Sequence, residues 1–527
     1  MRAPRRGTPS RWAVVTESPT SEIPRPSAQR WVVLGVVMMG TFMAILDSSI
    51  VNVALPHMMS TFGVSRDEIE WVATAFMLAT AVAMPLVGWL SGRLGHKALY
   101  LGSLVLFTLG SLACATAWSY DALVAARIVQ AIGGGAIQPV GMAIVADLFA
   151  PEERGRALGI WGTGIMIGPA LGPTLGGYLT DWFNWRVIFS VNVPFAVVTL
   201  LFGMMVMSGG RGRRDRQAPF DLWGFVFLSM ALVAGLLALS NGQQEGWTSS
   251  YIVTCFGLSL AGTVLFLAVE STVAYPLLPL SLFRHRNFSV SMVLALFRAV
   301  GLFGGVFLLP IFLESLVGYS TIQTGLWMMP GAAAVGLTMP IAGRLSDRFN
   351  PKGLVVAGTL ITAFSLISYG RLDPRSSAAF IIVPQLVRGA GLALLMAPLM
   401  TAAINAVPKD QVATASSFLN VAQRVGGSFG IAVLNAFVTH SVAQHAVRLG
   451  DGMRPDSLEF ARSAKEFSLA MARHAHGLGG GVPPGVLAAG QIHQRATVLA
   501  FDNAFVVAGF ILLAGMPLAF LLKPAAR

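Results

Sequence analysis

Trp31 to Pro56 reads WVVLGVVMMGTFMAILDSSIVNVALP, a run with one charged residue, Asp47. At 1.5 Å per residue, about 20 apolar residues cross the ~30 Å hydrocarbon core of a bilayer. The run is long enough to span. It is also longer than a signal-peptide core and has no small-residue cleavage site, so it reads as a retained membrane helix. Thirteen more apolar runs follow, starting near Trp71, Ala98, Ala122, Ala157, Arg186, Asp221, Tyr251, Ser289, Gln323, Gly353, Ala378, Val412 and Ala500. The expected fold is therefore an all-α membrane protein with 14 transmembrane helices.

Composition supports that reading. Of 527 residues 55% are hydrophobic and 11% charged, with a mean hydropathy of +0.69. Soluble domains carry about 25% charge, which excludes an ordinary soluble or a disordered protein. The net charge of +12 does not point to nucleic acid, because its placement is that of a membrane protein. With the N-terminus inside, 22 of the 36 Lys and Arg fall in inner segments and four fall in spans. Six of the remaining ten lie in one long loop. The asymmetry places both termini in the cytoplasm and the chain in the cytoplasmic (inner) membrane. Residues 1–30, with six Arg, read as a disordered basic cytoplasmic arm. Cys114 and Cys255 lie in apolar runs and build neither a disulfide framework nor a zinc site.

The chain repeats itself at a nearly constant offset. GWLSGRLGHK at Gly88 returns as GRLSDRFNPK at Gly343, Arg127 with its glycine run as Arg388-Gly389-Ala390-Gly391, and APEERGRALG at Ala150 faintly as VPKDQVATAS at Val407. Two parallel six-helix halves follow, residues 31–207 and 271–525. A basic cytoplasmic loop (208–220) and two extra helices (221–270) lie between them. Such halves around a midplane site are an architecture of secondary transporters. The second half contains a long outer excursion, 438–499. Within it Asp456 to His476 has an amphipathic helical pattern, with Phe460, Ala464, Phe467 and Met471 on one face. It reads as a solvated segment or as a docking surface for a partner. His474, His476 and His493 have no acidic or Cys partner at ligand spacing, so no metal is expected.

Three residues stand out for their cost in lipid. Asp47 lies deep in the first span, where a carboxylate costs about 2.5–3.5 kcal/mol to insert. It reads either as a titrating group or as a structural Asp capped by Ser48 and Ser49. Arg127 cannot shed its proton and needs water, a carboxylate or backbone carbonyls; Gln130 shares its helix face. Gly164, Gly168, Gly172 and Gly176 recur every fourth residue in the fifth span, a stripe that permits close helix approach. Pro169 and Pro173 bend the same helix. No HExxH, GxSxG, P-loop or Cys/His cluster is present, so neither an enzyme nor a cofactor is expected.

These motifs together resemble the major facilitator superfamily, in its fourteen-span drug:proton antiporter branch of the EmrB/QacA type. LDSSIVNVALP (Leu46–Pro56) is similar to that branch's first-helix signature. GWLSGRLGHK and GRLSDRFNPK resemble the cytoplasmic loop motif, RIVQAIGGGA (Arg127–Ala136) the fourth-helix arginine motif, and GIMIGPALGPTLGG (Gly164–Gly177) with WFNWRVIFSVNVP the fifth-helix antiporter motif. The resemblance implies a proton-coupled exporter of small hydrophobic or amphiphilic compounds, driven by the proton gradient. It implies coupling or substrate contact at Asp47, Arg127 and Gln130, in a midplane cavity, and gating at Gly88, Arg93, Gly95, Lys97, Gly343, Asp347 and Arg348. Some members pair with a periplasmic adaptor and an outer-membrane channel. The chain departs from the loop motif where Gly92 replaces Asp and His96 replaces Arg, which puts the first copy's charge lock in question. Four intramembrane arginines against one deep carboxylate favour neutral or anionic amphiphiles over dications. A transporter of one metabolite or siderophore is the alternative on the same fold.

Overall fold

The computed structural model describes residues 27–208, 219–452 and 484–523. The arm up to residue 26, most of the basic loop and the amphipathic segment with His474 and His476 lie outside the described residues. Helices α1 (Ser27–Phe62), α2 (Arg66–Ala83), α3 (Leu86–Leu94), α4 (His96–Ala115), α5 (Tyr120–Leu148), α6 (Arg154–Trp182), α7 (Val187–Ser190) and α8 (Asn192–Val206) form the first half. The extra pair is α9 (Leu222–Glu245) and α10 (Ser250–Thr272). The second half holds α11 (Arg286–Phe312), α12 (Thr321–Arg348), α13 (Pro351–Ser368), α14 (Ala378–Asn405), α15 (Val412–Gly452), α16 (Pro484–Ala514) and the short α17 (Met516–Ala519). No strand occurs among the described residues.

Twelve of the crossings are long and apolar enough to span a membrane, and α2 with α3, bent by 57°, makes a thirteenth. The fourteenth is α6. Its glycines, prolines and threonines dilute its hydropathy, and it packs along α1 on one side and α12 on the other. A helix covered by protein on two sides needs less apolar surface than one bathed in lipid. By contrast α8 and α10 expose Leu201, Phe202, Met205, Leu260 and Val264, as lipid-facing helices do.

Local signals set the helix ends. Ser65 and Ser320 form capping boxes with Glu68 and Gln323, and Ser119, Ser249 and Ser377 accept first-turn N–H groups of α5, α10 and α14. These side chains satisfy donors that the helix itself leaves free. Helix α9 contacts both α2 and α15, so the extra pair sits across the seam between the halves. Both ends of the expected excursion from 438 to 499 are helical, since α15 continues to Gly452 and α16 begins at Pro484. At 41 residues, α15 is about 60 Å long and outreaches the bilayer. His445 Nε2 and Asn503 Nδ2, 2.9 Å apart, tie α15 to α16.

The glycines of α6 face two ways. A Cβ on Gly164, Gly168 or Gly176 would press into Met38, Ile45 and Ile50 of α1, and one on Gly172 into Ser49. A Cβ on Gly159 would lie 2.5 Å from the Met339 carbonyl oxygen of α12, a backbone atom that cannot swing aside. Gly159→Ala is therefore expected to cost about 1–3 kcal/mol, read as a lower Tm of the purified protein. Gly35→Ala, at a position with open space around its Cβ, is expected not to lower it.

Candidate functional site

Asp47 lies on α1 about 22 Å before the helix ends at Phe62, and Arg127 lies two turns into α5. Both are buried. Arg127 Nη1 donates to Asp47 Oδ2 at 2.6 Å and to Gln130 Oε1 at 2.7 Å, while Nε donates to the Val72 carbonyl at 3.2 Å. The guanidinium stacks on Phe76, 4.0 Å from the ring centre. Gln130 Nε2 donates to Asp47 Oδ1 at 2.8 Å, completing a ring of three side chains. The sequence reading singled out all three, and the fold brings them together.

It missed the rest of the cluster. Asn192, buried at the start of α8, donates through Nδ2 to Asp47 Oδ1 at 2.7 Å and to Ser111 Oγ at 3.0 Å. Ser111 Oγ in turn donates a hydrogen bond to the Phe189 carbonyl. Cys114 Sγ sits 3.6 Å from Gln130 Oε1. Asp47 thus accepts from three side chains, the acceptor-only pattern of an ionised carboxylate. Ser48 and Ser49 do not cap it, for their hydroxyls donate to the carbonyls of Ile45 and Pro169. The sequence offered one signal for Asn192: it is a polar residue inside the apolar segment WFNWRVIFSVNVP.

Asp47 also stands apart from the cavity between the halves. That cavity, ≈ 20 Å³ in volume, is lined by Gln138, Trp161, Arg298, Met396, Asn420 and Gln423 among others. Gln138 follows Arg127 by three turns of α5, about 16 Å. The ion pair is internal to the first half, and the cavity lies between the halves.

The loop-motif residues gather at the face where α1 begins, here called the basal face. Asp347 of α12 accepts from the backbone N–H groups of Gly155 (2.7 Å) and Arg156 (2.8 Å) in the first turn of α6. A carboxylate at a helix N-terminus satisfies free donors and opposes the dipole, and here it joins the two halves. Gly343 lies against the Gly155 carbonyl, where a Cβ would not fit. Arg154 adds a second bond across the seam, Nη1 to Asn405 Oδ1 at 2.9 Å. In the first copy Gly88 abuts Thr414 near the start of α15. Arg93 stacks on Trp89, and Lys97 Nζ donates to the Met204 and Met207 carbonyls that end α8. Gly95 has φ +77°, a conformation that favours glycine, and it turns the chain from α3 into α4. His96 keeps a partner, Asp147 Oδ2, 2.7 Å from Nδ1. Arg348 is exposed. Pro169 and Pro173 sit inside α6, with Pro173 beside Gly325 of α12.

The fold, the repeated clasp and the arginine site agree with one comparison in particular: residues 37–431 match the Major Facilitator Superfamily. The chain belongs to that superfamily. It is a multi-pass membrane transporter. Among superfamily relatives it is 32% identical to the uncharacterized MFS-type transporter YhcA of Bacillus subtilis, over 79% of this chain and 78% of that one. It is 29% identical to the multidrug export protein EmrB of Escherichia coli, over 82% and 85%. The human organic anion transporter MFSD10 shares the fold, with a TM-score of 0.58 at 16% identity, covering 95% of this chain and 100% of that one.

Two outcomes test this geometry. Asn192→Ala removes a donor from a buried carboxylate and is expected to lower stability by about 1–3 kcal/mol, measured by thermal unfolding. Gly92 matches Asp347 in the repeat and lies one turn after Gly88, which abuts Thr414, so Gly92→Asp offers α15 the kind of carboxylate that Asp347 gives α6. It is expected to hold the basal face closed by about 0.3–1 kcal/mol more, slowing transport turnover roughly two- to fivefold in proteoliposomes.

Proposed function

We propose that the chain is a proton-coupled antiporter that exports small hydrophobic or amphiphilic compounds by alternating access. The observation that carries this reading is the buried Asp47–Arg127 pair. Arg127 holds its charge under all conditions, so Asp47 is the member of the pair able to bind and release a proton. A proton on Asp47 removes the anion from Oδ2 and frees Arg127, and its departure re-forms the pair. Breaking such a buried pair costs about 3–5 kcal/mol. That is enough to bias a two-state equilibrium a hundredfold or more. With one proton exchanged per neutral substrate, each unit of pH difference sustains at most about tenfold accumulation.

Direction and compartment rest on charge. The excess of Lys and Arg in the loops at the basal face supports a cytoplasmic orientation of that face, in a bacterial-type inner membrane. The glycine stripe of α6 is similar to that of exporters, and EmrB, one of the relatives, is named for multidrug export. The outer extensions of α15 and α16 offer a platform where a periplasmic adaptor leading to an outer-membrane channel would dock.

Asp47→Asn is expected to abolish efflux driven by an imposed pH gradient, measured with a fluorescent amphiphile in proteoliposomes. Because it leaves Arg127 unpaired in a dry site, the companion variant is Asp47→Asn with Arg127→Gln. That double variant restores neutrality, and it is expected to recover folding without recovering coupling. Gradient-driven efflux by either variant at the native rate removes Asp47 from the mechanism.

A further inference from the structure

The first half neutralises its deep arginine internally; the second half does not. Arg298, Arg388 and Arg424 lie within spans and none joins an ion pair among the described residues. Arg298 is the one that lines the cavity between the halves. It is 5% exposed and sits about 18 Å along α11 from Arg286, beyond reach of the basal surface. Its one side-chain partner is neutral, Gln423 Oε1, at a long 3.3 Å from Nη2. A guanidinium has five N–H donors and no acceptor, so most of this fork is unused.

The rest of the lining sharpens the chemistry. No carboxylate lines the cavity. Its other polar side chains are the amides Gln138, Asn420 and Gln423, and the Asn420 amide nitrogen is already spent on the Ser416 carbonyl. Trp161 is likewise spent, on Thr41. What remains is one permanent cation with unused N–H groups, beside the thioethers of Met142, Met396 and Met400 and the side chain of Leu419. Methionines adapt to apolar bodies of varied shape. At ≈ 20 Å³ the space suits about one water. The walls come from both halves, α5 and α6 on one side and α11, α14 and α15 on the other, so parting the halves enlarges it directly.

We infer that Arg298 anchors the anionic group of an amphiphilic organic anion, whose apolar body lies against Met142, Met396, Met400 and Leu419. This rests on the export reading and names its substrate class. A planar carboxylate or sulfonate matches the guanidinium fork with two parallel hydrogen bonds. An organic cation in the same place faces uncompensated repulsion.

The test separates this inference from export itself. The full chain in lipid nanodiscs is titrated with naphthoate, naphthamide and naphthylmethylammonium, probes that share a ring system and differ in charge. The native protein is expected to bind naphthoate at least tenfold more tightly than naphthamide. Arg298→Gln is expected to erase that preference while naphthamide binding stays within about twofold, which also certifies folding; about tenfold is 1.4 kcal/mol, in the range of one charge-assisted contact. Arg298→Lys is expected to retain part of the preference. Equal binding of the three probes, an anion preference that survives Arg298→Gln, or no naphthoate binding at millimolar concentration overturns the inference. So does displacement of a bound chloride as the sole effect dependent on Arg298, since the site is then one for an inorganic ion. Efflux of neutral compounds that persists in Arg298→Gln leaves export standing and defeats only the anion assignment. Naphthoate binding that needs Arg298 in a protein that moves nothing under a pH gradient defeats export instead.

Discussion

A guanidinium carries its charge wherever it is placed, and Arg127 is placed deep inside the first half, 1% exposed. The surroundings of the first half follow from that constraint. Asp47 supplies the counter-charge on α1, Val72 of α2 gives up a carbonyl, and Gln130 bridges the two charged groups. The carboxylate's second oxygen then needs donors, which Asn192 provides from α8 while Ser111 braces both amides from α4. Close approach is a precondition. A Cβ on Gly110 would lie 2.5 Å from the Gln130 backbone, and one on Gly133 2.5 Å from that of Phe107, so glycines at the crossing of α4 and α5 bring Ser111 within reach. One cation thus fixes the mutual position of five helices.

The repeat makes the second half a control on that logic. Arg388 matches Arg127 in the internal repeat, but on α11 it lies against Gly305 rather than an acid. The guanidinium fills the space that a side chain there would take, and its Nε and Nη1 have no protein partner. Tyr369, nearby, spends its hydroxyl on the Ile381 carbonyl. The same inversion appears at the basal face, where Asp347 in one copy stands against Gly92 in the other. The first half holds a closed charge pair, while Arg298, Arg388 and Arg424 of the second have no ion-pair partner among the described residues.

Span number and the two halves were legible because hydropathy and a constant repeat offset are properties of the chain alone. Asp47, Arg127 and Gln130 were legible for a related reason: a charge in lipid is conspicuous without knowing its neighbours. Asn192 and Ser111 were not, since an amide or hydroxyl inside an apolar run is common and acquires meaning only from the helix beside it. Which side of α1 Asp47 presents was not legible for the same reason. Depth along a helix can be counted from sequence, but the face on which a residue lies depends on packing. Likewise, the contact of His96 with Asp147 was not legible, since the two lie 51 residues apart on different helices.

The contrast between the two kinds of contact sets the energetics of motion. Inside the first half the ion pair is dry, and losing it costs about 3–5 kcal/mol. Across the basal seam the bonds run from Asp347 to two N–H groups, from Arg154 to Asn405 and from Asn405 to the Pro151 carbonyl, and water replaces them as they part. Exchange with water leaves about 0.5–1.5 kcal/mol net for a typical hydrogen bond and about 1.5–3 when one partner is charged. Deeper along the seam the glycines of α6 lie close against α12 and Thr163 donates to the Gly336 carbonyl at 3.1 Å, and with lipid rather than water on its outer side this contact has little hydrophobic drive to stay shut. The seam therefore opens at a cost comparable to breaking the pair, and a chemical event that changes the pair's energy by a few kcal/mol is large enough to decide which face is open.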